Sequence, residues 1–245
     1  KDFEEMNLWD KLALVATGFV NTKEAFDVFP KSEFESVELY VRNEQKIACW
    51  HIKKKKNKGT VLLFHGFTSS KASLLLEARF FEELGYTVFL VDFLGHGASQ
   101  GYQTTIGYKE AEEVKVAFDY IKKQDSNQKI IIFAASMGAT ATMRAVASYG
   151  IEPDALLLEC PFGSLLQTVK NRFEIINLPT SPFAELILFW ASIQHSVWLP
   201  SHKPSVYANS IYTPTLLMQG KADPKVKRKE TQAIYKNLKG LKQLS

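Results

Sequence analysis

The stretch IIIFAASMGATATMRAV, residues 130–146, decides how this chain is read. Ile130 to Phe133 are apolar, mostly β-branched and preceded by the polar KKQDSNQK, the pattern of a buried strand. From Met137 onward the chain is rich in Ala with Met and Arg, which suits a helix. Between them lie Ala134, Ala135, Ser136, Met137 and Gly138. A strand that becomes a helix within one residue folds back sharply, and side chains two before and two after the turn then nearly collide. Ala134 and Gly138 are small enough to allow it. A helix with a chance serine among small residues would share this composition, so the reading depends on what flanks it.

Outward from this stretch, apolar strands alternate with helices. A helical piece is expected at 3–16, then strands at 36–41 and 46–52 joined by RNEQ. The basic run HIKKKKNKG, 51–59, reads as a solvated hairpin turn into a strand at 60–64, with binding to an anionic surface as the alternative. A helix at 72–84 stops at Gly85, and a strand at 86–91 follows. GYKEAEEVKVAFDYIKK places Ala111, Val114, Ala117, Phe118 and Ile121 at the spacing of an amphipathic helix. After the opening stretch come strands at 155–158 and 215–218 and a helix near 226–238. Continuously apolar strands alternating with helices imply an α/β fold with a mostly parallel sheet covered on both faces. Ligands gather at the carboxyl edge of such sheets. His65-Gly66-Phe67, the run from Asp92 to Ser99, Ser136 and Asp223 all follow strands and should share that rim.

The segment 162–212 fits no strand–helix repeat. It is aromatic and divided by Pro179, Pro182, Pro200 and Pro204. Loops of that length are usually lids or binding elements, so it reads as a helical cap inserted in a single domain of residues 1–245; a connecting helix with a long loop is the alternative. Phe183, Leu186, Ile187, Trp190 and Ala191 share helical spacing and are expected to face the rim, or to anchor the cap.

Composition excludes other classes. Of 245 residues, 46% are hydrophobic and 23% charged, which is ordinary for a globular protein. Thirty basic against 26 acidic residues give +4, too small and dispersed for a nucleic-acid partner. Cys49 and Cys160 suggest no disulfide framework or metal spacing. The apolar run 12–20 is too short to span a bilayer, and no signal-peptide pattern is present. A cytoplasmic location is favoured, although a start at Lys rather than Met leaves a removed leader or anchor open.

HGF after one strand, DFLGHGAS after the next, AASMGA after a third and QGKADPKV after a fourth resemble the α/β-hydrolase family, in particular small bacterial serine esterases and acylglycerol-lipase-like enzymes. The resemblance runs from about residue 34 to the end. Ala134 replaces the first glycine of the family's G-x-S-x-G elbow. The resemblance implies Ser136 as nucleophile, Asp223 as the acid with Glu159 as rival, and the backbone N–H groups of Phe67 and Met137 as an oxyanion hole. Such a donor is worth about 2.7–4 kcal/mol in other enzymes. Gly66 lets the backbone approach closely, while His65, Asp92 and His96 read as scaffold. No cofactor is implied, since side chains and water suffice. A serine at 136 excludes relatives that need a carboxylate or thiol nucleophile there.

The triad's chain order is Ser, acid, His, yet His51, His65, His96, His195 and His202 all precede Asp223. LKQLS looks like the start of one more strand, so the expectation is that a C-terminal strand and histidine loop lie beyond residue 245. His195 or His202 as base, or a non-catalytic relative, are the alternatives. The expected activity is hydrolysis of small apolar, uncharged carboxylic esters through an acyl-serine. Thioesterase or amidase chemistry, and a silent ligand-binding protein, are its rivals.

Overall fold

The computed structural model describes residues 23, 28–175, 177, 179–220, 223 and 226–245; the helix expected at 3–16 lies outside them. Its strands are β1 (Glu35–Tyr40), β2 (Lys46–Ile52), β3 (Thr60–Phe64), β4 (Thr87–Val91), β5 (Ile130–Ala135), β6 (Ala155–Glu159), β7 (Thr215–Met218) and β8 (Lys242–Leu244). They form one sheet in the order β1-β2-β4-β3-β5-β6-β7-β8. β2 runs antiparallel to both neighbours, and every pair from β4 to β8 is parallel.

Side chains alternate across the sheet, and each set meets its own helices. Leu62, Phe64, Phe89, Val91, Ile130 and Ile132 pack with residues of α2 (Glu110–Gln124), α3 (Met137–Tyr149) and α7 (Arg228–Asn237). Val61, Leu63, Val88, Leu90 and Phe133 pack on the other side with Ala78 and Phe81 of α1 (Leu75–Glu83). On α2 the buried apolar residues are the five that the spacing picked out. Both faces of β3 are sealed, with all five residues buried.

That burial corrects the hairpin expected at the lysine run. A strand buried on both faces belongs inside the sheet, and β3 lies between β4 and β5. β4 separates it from β2, so the lysine-rich segment steps over one strand, with Lys53, Lys55, Lys56 and Lys58 exposed.

Within 162–212 lie α4 (Leu165–Ile175), α5 (Phe183–His195) and the short α6 (Pro204–Tyr207). Phe162, Leu165, Leu188 and Leu199 of this segment form a small core together with Val226, with Ile106 and Tyr108 packed against it. α5 turns a different side inward from the one expected. Ala184, Leu188 and Ser192 are buried, whereas Phe183, Leu186 and Trp190 are exposed. The helix is apolar nearly all round, so spacing could not choose its inner face.

Candidate active site

Ser136 sits between β5 and α3 with φ 47° and ψ −109°, a conformation that costs a non-glycine residue about 1–3 kcal/mol. The surrounding structure over-determines it. Its N–H donates to the Glu159 carbonyl at 2.7 Å, and its carbonyl accepts from Thr140 N at 3.1 Å. Its side chain makes no capping bond to α3. At Gly138 a Cβ would lie 2.6 Å from the Phe64 carbonyl oxygen and 2.8 Å from that of His65. The need for glycine is therefore set by the end of β3, which the helix crosses.

Met137 is the first residue of α3, so its N–H has no acceptor within the helix. Phe67 follows β3 on a half-buried loop. His65 braces that loop: its Nε2 accepts from Phe93 N at 3.2 Å, so Nδ1 carries the proton and donates to the Gly66 carbonyl at 2.7 Å. Complete burial pushes this imidazole down to about 4. Asp92 accepts from Lys71 N at 2.6 Å and Ala98 N at 2.8 Å, and its carboxylate pairs with Lys71 Nζ. His96 is fully buried, its Nδ1 against the Leu94 carbonyl at 3.0 Å.

One cleft of about 330 Å³ gathers Phe67, Ser136, Met137 and Asp223, the four residues picked out as nucleophile, acid and oxyanion donors. Ile106, Phe162 and Val226 add apolar wall, and Cys160, Thr168 and Arg172 complete the lining. Two larger hollows, of about 770 and 630 Å³, lie elsewhere and include none of these four. Asp223 Oδ1 accepts from Val226 N at 3.2 Å. The Cys160 thiol is hydrogen-bonded to the Asp223 carboxylate and also accepts from Gly220 N; burial first, then Asp223 and Glu159, keep it protonated. Glu159, the rival acid, is exposed and outside the lining, its pKa raised by partial burial and the Glu77 carboxylate.

Among the described residues no histidine borders the cleft. His202 is enclosed by Tyr108, Phe162 and Tyr207, and burial lowers it to about 3, which would make it a poor base at neutral pH. His195 lines the 770 Å³ hollow with Arg42, Lys109 and Glu110. His51 packs edge-on to Phe89, away from the rim.

Sequence reasoning missed Arg172, Cys160 and Thr168. The signal for Arg172 was present. It follows Leu165, Thr168 and Val169 by seven, four and three residues, a cation on the helix's buried stripe. Among the described residues no group of three or more His, Cys, Asp or Glu could hold a metal, and no helix is long and apolar enough to cross a membrane.

A family model, Hydrolase_4 (serine aminopeptidase, S33), matches residues 55–204. Among solved structures, the Pyrococcus furiosus esterase Pf2001 superposes with a TM-score of 0.75 at 26% identity, over 93% of this chain and 89% of that one. The uncharacterized protein YqkD of Bacillus subtilis is 24% identical over 227 residues, 91% of this chain and 74% of its own length. The lysophosphatidylserine lipase ABHD12 of Danio rerio is 27% identical over 135 residues, 53% of this chain but only 35% of the lipase.

Proposed function

The chain belongs to the Hydrolase_4 (serine aminopeptidase, S33) family of α/β-hydrolases, and we propose that it is a serine hydrolase cleaving carboxylic esters with an apolar acyl chain. One observation carries this reading: Ser136, on its positive-φ turn, shares a single small cleft with Asp223, Phe67 and Met137.

Ser136 Oγ attacks the ester carbonyl as a histidine takes its proton, and the tetrahedral oxyanion is held by the N–H groups of Phe67 and Met137. The imidazolium passes its proton to the leaving alkoxide, leaving an acyl-serine. Water, activated by the same histidine, releases the acid. Asp223 fixes the histidine's tautomer and stabilises its charge. We place that histidine in polypeptide following β8. β8 runs parallel to β7, so a loop after it would emerge at the rim that holds Asp223. The pairing at the rim continues as Gln219 N donates to the Ser245 carbonyl at 3.0 Å. The aminopeptidase in the family's description makes a short amide the second reading.

In protein that includes the residues after β8, a fluorophosphonate probe is expected to phosphonylate Ser136 alone, with fluoride as the leaving group. Activity on p-nitrophenyl esters should rise from acetate to hexanoate, since each buried methylene contributes about 0.8 kcal/mol. Equal labelling of Ser136→Ala would sink the reading.

A further inference from the structure

Arg172 stands out in the cleft because no carboxylate among the described residues forms an ion pair with it. It projects from α4 into the lining beside Phe67, with its guanidinium carbon 5.8 Å from that ring's centroid. Its Nε is buried without a hydrogen-bond partner, and no ion pair to it is found among the described residues. Burial holds its pKa below the ordinary value, with no carboxylate compensating. The acids around α4 are committed elsewhere. Glu174 on the same helix pairs with Lys227, and Glu185 pairs with Lys170. Glu230 accepts from Asn171 Nδ2 at 2.8 Å and from Gly163 N at 3.0 Å.

A guanidinium remains charged in any protein setting, so removing it from water without a counter-charge is unfavourable. The face of Phe67 offsets only part of that loss and leaves the Nε donor unused. What the group lacks is an acceptor that fits a planar fork: a carboxylate or a phosphate. Ile106, Phe162 and Val226 make part of the wall apolar, Ser136, Cys160, Thr168 and Asp223 are its other polar side chains, and Arg172 is the one cation in the lining among the described residues.

We infer that Arg172 is an anion-binding residue of this cleft, and that the favoured substrates carry a carboxylate or phosphate group in addition to the ester. The inference rests on the serine-hydrolase reading for where the ester lies, and it departs from the uncharged substrate expected from the sequence. The apolar wall takes the chain, and Arg172 takes the charge.

The test is equilibrium binding to the full-length protein, followed by calorimetry, of decyl phosphate and decanoate, with decanol as the uncharged control. Wild type should bind at least one of the two anions ten-fold or more tighter than decanol, with an advantage that shrinks as salt is raised. Which anion gains more assigns the group as phosphate or carboxylate. In Arg172→Gln the anion-to-decanol ratio should fall at least ten-fold, while Arg172→Lys should keep part of it. If Arg172→Gln does not fold, the lysine variant and the salt dependence of wild type carry the test. Equal wild-type affinity for all three ligands would overturn the inference, as would an unchanged ratio in the variants. Binding does not require the chemical step, so Ser136→Ala should retain the anion preference. Loss of probe labelling specificity would count against the nucleophile and leave this result standing.

Discussion

Gly138 and Gly66 flank the same cleft but are constrained differently. A Cβ at Gly138 would overlap backbone oxygens of Phe64 and His65, atoms that cannot rotate away. A Cβ at Gly66 would meet the Ser136 Cβ at 3.5 Å and the Ala135 carbonyl oxygen at 3.8 Å, both ordinary contacts. Gly138→Ala should therefore cost about 1–3 kcal/mol or more in urea unfolding, because α3 must lift from the end of β3. Gly66→Ala should cost clearly less; equal losses would contradict this account. The sequence showed that position 138 needed a small residue, and it attributed the need to Ala134. The nearest obstacle comes from a strand some seventy residues earlier, which local spacing cannot reveal.

α5 poses the same problem for a whole element. In FAELILFWASIQH nine of the 13 positions are apolar and they run round the helix, so no single stripe is distinguishable from its neighbours. The structure selects Ala184, Leu188 and Ser192, and Ser192 Oγ accepts from Leu199 N at 3.0 Å to tie the helix to the next turn. Leu188 packs in one cluster with Phe162 and Val226, which also line the cleft. Leu188→Ala is expected to cost about 2–5 kcal/mol and to reduce the proposed hydrolase activity by loosening that wall. Leu186→Ala, at 56% exposure, should change stability by no more than about 0.5 kcal/mol. Comparable losses at both positions, measured by denaturant unfolding, would show that the inner face is wrongly assigned.

Across the whole molecule, all five histidines are held below their ordinary pKa, with burial the leading cause each time. His65 is lowered to about 4 and His202 to about 3, both fully enclosed. Below pH 6.5 the unfolded chain binds protons that the folded chain refuses, so acid favours unfolding. Each of these two groups should remove up to about 1.4 kcal/mol per pH unit between 6.5 and its folded value. Stability should thus fall as pH drops from about 6.5 towards 4. His202→Phe, which keeps a ring among Tyr108, Phe162 and Tyr207, should flatten that slope by up to one proton. Identical slopes for wild type and variant in urea titrations at pH 7, 6 and 5 would refute it.

The sequence by itself determined the alternation of strands and helices, the turn at Ser136 and the placing of Phe67, Met137 and Asp223 after strands. These rest on periodicity, residue size and chain order, which are local properties. Only the tertiary structure decided that β4 lies between β2 and β3, which face of α5 turns inward, and that Arg172 enters the cleft with its Nε buried and unsatisfied. Each depends on what a residue meets across the fold. Burial and charge pairing are properties of neighbours in space, and the linear order of residues does not contain them.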